Sequence, residues 1–125
     1  MNKENKLVPG LPSGFEDRWD KKLLLKKKLL KAIENNFIKF GAEALETPSF
    51  EISENIGSFL AEDDSNPMSD VFSFQDGEKS ITLRYDLSSP LARFVAQNNQ
   101  ELPSIFKRYQ IQNVFRNEKA GNGRY

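Results

Sequence analysis

Between Asp17 and Phe40 the residues Trp19, Leu23, Leu29, Leu30, Ile33, Phe37 and Phe40 fall on one side of a helix, at spacings close to 3.6. Gly41 follows at once and suits the left-handed cap that ends a helix. This stretch requires one long amphipathic helix near the start of the chain. Its other face carries Lys21, Lys22, Lys26, Lys27, Lys28 and Lys31, a run that solvation explains more simply than contact with RNA. The 125 residues hold 18 basic and 18 acidic side chains. That balance argues against a polyanion binder held by net charge.

The remaining segments are short. Residues 1–14 hold Pro9, Gly10, Pro12 and Gly14 and read as an extended arm. After Gly41 a short strand is expected to end at Pro48, since a central strand tolerates proline poorly. Residues 52–60 suit a second helix, with Ile52, Ile56 and Phe59 or Leu60 as its apolar side. Residues 61–70 are acidic and turn-rich. Val71–Phe74 and Lys79–Leu83 flank Asp76-Gly77 as a hairpin. Pro90 belongs in the first turn of a further helix, capped by Ser88 or Ser89 and running to about Asn99. Ile105–Phe115 reads as a long strand whose imperfect alternation leaves room for a bulge or a change of face. The sum is an α+β fold, mainly antiparallel, with helices packed on the sheet. One domain is the natural count for this length.

The chain has no cysteine and no histidine. A disulfide framework and a thiolate metal site are therefore excluded, and so are the commonest zinc ligand and the usual neutral-pH base; no zinc and no haem are expected. Chemistry has to run on carboxylates, arginines and bound phosphate. The N-terminus lacks an apolar signal core and no stretch approaches membrane-spanning length, so a cytoplasmic protein without a membrane partner is expected.

Three stretches carry candidate chemistry. Arg116 and Glu118 project to one face of a strand, where they form either a same-face salt bridge or two contacts to one ligand, the arginine on phosphate or carboxylate. Lys119–Arg124 is a glycine-bearing loop with a cation at each end, either folding over a polyphosphate or a plain surface turn. Asp86 and Ser88, after a strand and before a helix, either capture a substrate ammonium group or cap the helix.

The stretches Thr82-Leu-Arg-Tyr-Asp-Leu-Ser-Ser-Pro-Leu-Ala-Arg93 and Tyr109-Gln-Ile-Gln-Asn-Val-Phe-Arg-Asn-Glu-Lys-Ala-Gly-Asn-Gly-Arg-Tyr125 resemble histidyl-tRNA synthetase. Their order and spacing resemble the first part of its class II catalytic domain. The helix from Trp19 to Phe40 and the strand ending at Pro48 resemble motif 1, a dimerisation element. Phe115-Arg116-Asn117-Glu118 resembles the motif 2 signature, and Lys119–Tyr125 its loop. The Asp form of "LRYDLSSPLAR" is similar to the variant in eukaryotic and some bacterial histidyl enzymes, and "VFSFQDGEKSITLRYDL" resembles the alphaproteobacterial group. The likeness spans about residues 9–125. It divides the chain into an arm (1–14) and a partial catalytic core (15–125), with motif 1 at about 19–48, an amino-acid-binding stretch at 82–93 and motif 2 at about 105–125.

The resemblance implies a homodimer and a ligase that activates histidine with ATP and Mg2+ and transfers it to tRNA(His). It implies that Asp86 and Ser88 bind the α-amino group of histidine. Arg116 is then the catalytic contact to the ATP α-phosphate and the substrate carboxylate, Glu118 holds the adenine, and Arg124 holds the γ-phosphate end. Pro48 marks the motif 1 dimer element. Such chemistry works by positioning and electrostatics and has little need of a protein general base. The family's adenine-stacking aromatic, histidine-specific arginine, motif 3 and anticodon-binding domain find no counterpart, so the chain is expected to be a fragment that is inactive by itself. A histidyl-synthetase-like regulatory subunit of ATP phosphoribosyltransferase is the alternative; Arg116, Glu118 and Arg124 favour the ligase.

Overall fold

The computed structural model describes residues 8–57 and 71–117. The first helix, α1 (Asp20–Lys39), forms where the periodicity requires it. Its C-cap is Phe40, and Gly41 then takes a φ of 75° and donates its N–H to the Ile38 carbonyl. A Cβ at Gly41 would meet open space, so the left-handed backbone alone selects glycine there.

Among the described residues the apolar stripe of α1 faces no core. No α1 residue is buried, and the flanking Trp19 and Phe40 are 77% and 78% exposed. Phe37 stacks on Tyr109 with ring centroids 5.6 Å apart. The sheet that supplies Tyr109 pairs β1 (Glu43–Ala44) in parallel with β5 (Arg108–Tyr109), and two strands of two residues are too small to cover a helix of 20. Among the described residues no helix is long and apolar enough to cross a membrane.

A second sheet is antiparallel, in the order β2 (Phe50–Ile52), β4 (Lys79–Leu83), β3 (Ser73–Asp76). β3 and β4 close in a two-residue turn at Gly77-Glu78, where Gly77 has a φ of 61°. Two helices complete the fold: α2 (Ser53–Gly57) packs against β2, β4 and α3 (Ser88–Asn98). Pro90 is buried in the first turn of α3, where its missing N–H leaves no helical bond unmade. The N-cap position falls to Leu87 rather than Ser88 or Ser89, because the capping acceptor comes from one residue earlier, Asp86.

The antiparallel sheet buries its polar face. Register places Glu51, Ser73, Ser80 and Thr82 on one side, and Phe50, Ile52, Phe74, Ile81 and Leu83 on the other. The apolar side is the more open: Phe50 and Phe74 meet edge to face at 5.5 Å, yet both are exposed. On the buried side the Thr82 hydroxyl shares hydrogen bonds with Ser53 at 2.6 Å and Ser73 at 2.9 Å, and Ser53 donates to Ser80 at 2.9 Å. These hydroxyls satisfy one another, which makes their burial tolerable.

The same face holds a two-pronged ion pair that ties β2 to α3. Arg93 donates from Nε to Glu51 Oε2 at 2.7 Å and from Nη2 to Oε1 at 2.8 Å. The hydrogen bond to Glu51, opposed by partial burial and aided by the carboxylate's charge, raises the Arg93 pKa above the ordinary arginine value. A raised folded pKa gives stability that is present below the unfolded value and lost only as pH climbs past it, so this contribution is flat through neutral pH. Removing the carboxylate strands a partly buried cation. Glu51→Ala is expected to cost about 3 kcal/mol, read as a lowered urea midpoint of the chain; an unchanged midpoint contradicts the tie.

The long strand expected over Ile105–Phe115 is not formed. Regular pairing ends at Tyr109, whose carbonyl accepts from the Leu45 N–H. At the next outward-facing donor, the Thr47 N–H, the side-chain Oε1 of Gln112 takes the place of a backbone carbonyl at 3.0 Å. Pro48 then has no N–H to give. The segment is held instead by separate contacts, including the Phe94–Phe106 ring stack at 6.1 Å.

Candidate functional site

The two sheets meet where β4 ends, and this junction brings two of the candidate stretches together. The Phe115 N–H donates to the Arg84 carbonyl at 2.9 Å, and Arg116 Nε donates to the Tyr85 carbonyl at 3.3 Å. Residues 84–86 therefore lie alongside residues 115–116, although 31 positions separate Tyr85 from Arg116. The result is one carboxylate and one exposed guanidinium on neighbouring chain segments, Asp86 on the first and Arg116 on the second.

Asp86 is half-buried and its carboxylate is held by the start of α3. Oδ1 accepts from the Ser89 N–H at 3.1 Å, and Oδ2 accepts from the Ser89 hydroxyl at 3.4 Å. A carboxylate has about four acceptor positions, so these two bonds orient the group and still allow it to receive an ammonium. The cap reading and the ligand reading of Asp86 are thus compatible. Ser88 is the first residue of α3 and is exposed, two positions from Asp86. Pro48 is exposed, and its carbonyl accepts from Arg84 Nη1 at 3.3 Å. Glu118 and Arg124, with the rest of the Lys119–Tyr125 loop, lie outside the described residues.

Sequence reasoning missed the group that holds this junction together. Arg84 is 3% exposed and bonds to Thr47, Pro48, Gln112 and Asn113. Strand alternation carried the signal: Ser80 and Thr82 share one side of β4, and Arg84, one residue past its end, continues that alternation and is buried, so it had to be satisfied internally. Among the described residues no group of three His, Cys, Asp or Glu is placed to hold a metal ion.

Comparison with known proteins places this chain in one class, the tRNA synthetases with a class II core. The chain belongs to that family: the family model for the tRNA synthetases class II core domain (F) matches residues 16–124. Within the class it is similar to histidine–tRNA ligases. Over all 125 residues it is 83% identical to the histidine–tRNA ligase of Pelagibacter ubique, covering 27% of that protein. Against the histidine–tRNA ligase of Methylocella silvestris it is 46% identical over 116 residues, 92% of this chain and 23% of the other. The chain thus spans about a quarter of the length of the curated relatives it matches.

Among solved structures, histidyl-tRNA synthetase from a Nostoc species superposes with a TM-score of 0.73 at 26% identity, over 88% of this chain and 25% of that one. An ATP phosphoribosyltransferase regulatory subunit/histidyl-tRNA synthetase from Bacillus halodurans gives a TM-score of 0.75 at 24% identity, over 91% and 30% of the two chains. The second likeness speaks for the fold alone, so backbone shape does not separate ligase from regulatory subunit. The relatives at 83% and 46% identity are both histidine–tRNA ligases.

Proposed function

We propose that the chain is the part of a histidine–tRNA ligase that holds the α-amino group of histidine and the α-phosphate of ATP during formation of histidyl-adenylate, ahead of transfer to tRNA(His). The observation that carries this reading is the pair of hydrogen bonds joining residues 84–85 to 115–116, which sets Asp86 beside the segment bearing Arg116. Asp86, with Ser88, receives the substrate ammonium. This leaves the histidine carboxylate, already ionised, as the nucleophile toward the α-phosphorus. Negative charge grows on the phosphoryl oxygens as pyrophosphate departs, and the Arg116 guanidinium is the cation suited to stabilise it. Glu118 and Arg124 complete the ATP contacts in the same reading, toward adenine and the γ-phosphate. Mg2+ enters with ATP and supplies further charge neutralisation there.

Assembly as a cytoplasmic homodimer through the motif 1 region, including Pro48, fits α1. Leu25, Leu29, Ile33 and Phe37 on that helix are all exposed, a contiguous apolar surface of the kind that partners cover.

The test is a chimera in which this chain replaces the matching residues of the Pelagibacter histidine–tRNA ligase. ATP–pyrophosphate exchange should depend on histidine, and other amino acids should not replace it. The 125 residues alone, which hold only part of such a site, should show none. A chimera without histidine-dependent exchange, or exchange of equal rate with other amino acids, contradicts the assignment.

A further inference from the structure

Arg84 is the most deeply buried charged residue among those described, and its described partners include no carboxylate. Its guanidinium is spread over neutral oxygens instead. Nε donates to the Asn113 carbonyl at 2.7 Å, and Nη1 donates to the Thr47 carbonyl at 2.7 Å, Gln112 Oε1 at 3.1 Å, the Pro48 carbonyl at 3.3 Å and Thr47 Oγ1 at 3.4 Å. Its main chain is engaged as well, N–H to the Ser49 carbonyl at 3.0 Å and C=O from the Phe115 N–H at 2.9 Å. Gln112 closes the ring by donating from Nε2 to the Thr47 carbonyl at 3.1 Å.

Keeping a cation buried among neutral acceptors is costly compared with an apolar side chain of similar size, so stability alone is a poor reason for it. What a planar fork provides is direction: it reaches several carbonyls from fixed angles, which a lysine point charge does not. The segments it reaches are Thr47–Pro48, which leads from α1 and β1 into the second sheet, and Gln112–Asn113, three residues ahead of Arg116. Arg84 itself lies two residues ahead of Asp86. β4 and β5 belong to different sheets and share no ladder, so strand pairing does not set the distance between the two candidate arms.

We propose that Arg84 is a positioning residue, whose buried fork sets the separation of the Asp86 arm from the Arg116 arm. The proposal rests on the reading that these two arms serve histidine and ATP in one reaction. It requires that loosening the fork leaves each substrate's own contacts in place and spoils their alignment. A misplacement of about 1 Å lowers rate by about a hundredfold, mostly in the chemical step.

The experiment uses the chimera with Arg84→Lys and, as a milder change, Gln112→Met. For Arg84→Lys, kcat for exchange should fall by about ten- to a hundredfold, while KM for histidine and KM for ATP each change less than about threefold. Gln112→Met should act in the same direction with a smaller drop. Backbone hydrogen exchange should speed up in segments 45–49 and 113–117 and stay unchanged in the β3–β4 hairpin. An unchanged kcat, or a KM rise for one substrate with kcat intact, overturns the proposal. Accelerated exchange across the hairpin as well overturns it too, because Arg84 is then a residue of the general fold. If the unsubstituted chimera is active, those results fall on the proposal alone; if it is inactive, the reading of the site falls and takes the proposal with it.

Discussion

Arg116→Ala in the chimera is expected to lower kcat for histidine-dependent exchange by about a hundred- to a thousandfold, the loss typical when one donor to a developing oxyanion is removed. Arg116 reaches its place through a main-chain tie, Phe115 N–H to the Arg84 carbonyl, and a side-chain tie, Nε to the Tyr85 carbonyl. The side chain is exposed and its described bond goes to a backbone carbonyl, so the fold is expected to persist without it. Arg116→Lys keeps the charge and loses the fork, and should recover only part of the rate. In the proposed role the arginine meets charge that appears only in the transition state, so the loss should sit in kcat with a smaller change in KM. An Arg116→Ala enzyme within tenfold of the parent would remove this residue from the chemistry.

The second large effect belongs to Asp86, where one substitution separates the observed helix cap from the proposed ammonium contact. Asparagine caps helices as well as aspartate does, so Asp86→Asn should keep the bond to the Ser89 N–H and leave stability nearly unchanged. It removes the charge that an ammonium requires. A charge-assisted hydrogen bond is worth about 1.5–3 kcal/mol, so KM for histidine should rise by roughly ten- to a hundredfold, with KM for ATP little altered. Asp86→Ala should add loss of the cap, about 1 kcal/mol of stability. If Asp86→Asn leaves KM for histidine unchanged, the carboxylate is a cap and nothing more.

Much of the fold was legible because its signals are local. The helix ending at Gly41, the turn at Gly77 and the placement of Pro90 each depend on backbone preferences of one or two residues, and each formed where expected. The Ile105–Phe115 segment was misread for a non-local reason. Its β-favouring composition suits a long strand, but the Gln112 side chain takes the donor that would have extended the ladder, and Arg84 claims the Asn113 carbonyl. Nothing within residues 105–115 announces either contact. The packing of α1 failed similarly: periodicity identified the apolar stripe correctly, but not whether anything within the chain covers it.

At the candidate site, residue types suggested both a cap and a ligand contact for Asp86; what the structure shows is the cap, with the Ser89 N–H and hydroxyl donating to the carboxylate. The adjacency of Asp86 and Arg116 was not legible from spacing. It is created by hydrogen bonds across 31 positions, in which Arg84 contributes its main chain and Tyr85 its carbonyl.

The central claim is that the 84–86 and 115–116 segments hold two ends of one ligand pair. A crystal structure of the chimera with histidinol and ATP tests it most directly. The account predicts the ligand amine within hydrogen-bonding distance of the Asp86 carboxylate and the α-phosphate against the Arg116 guanidinium in the same site. An amine bound away from Asp86, or an α-phosphate contacted by other cations with Arg116 turned to solvent, would contradict it.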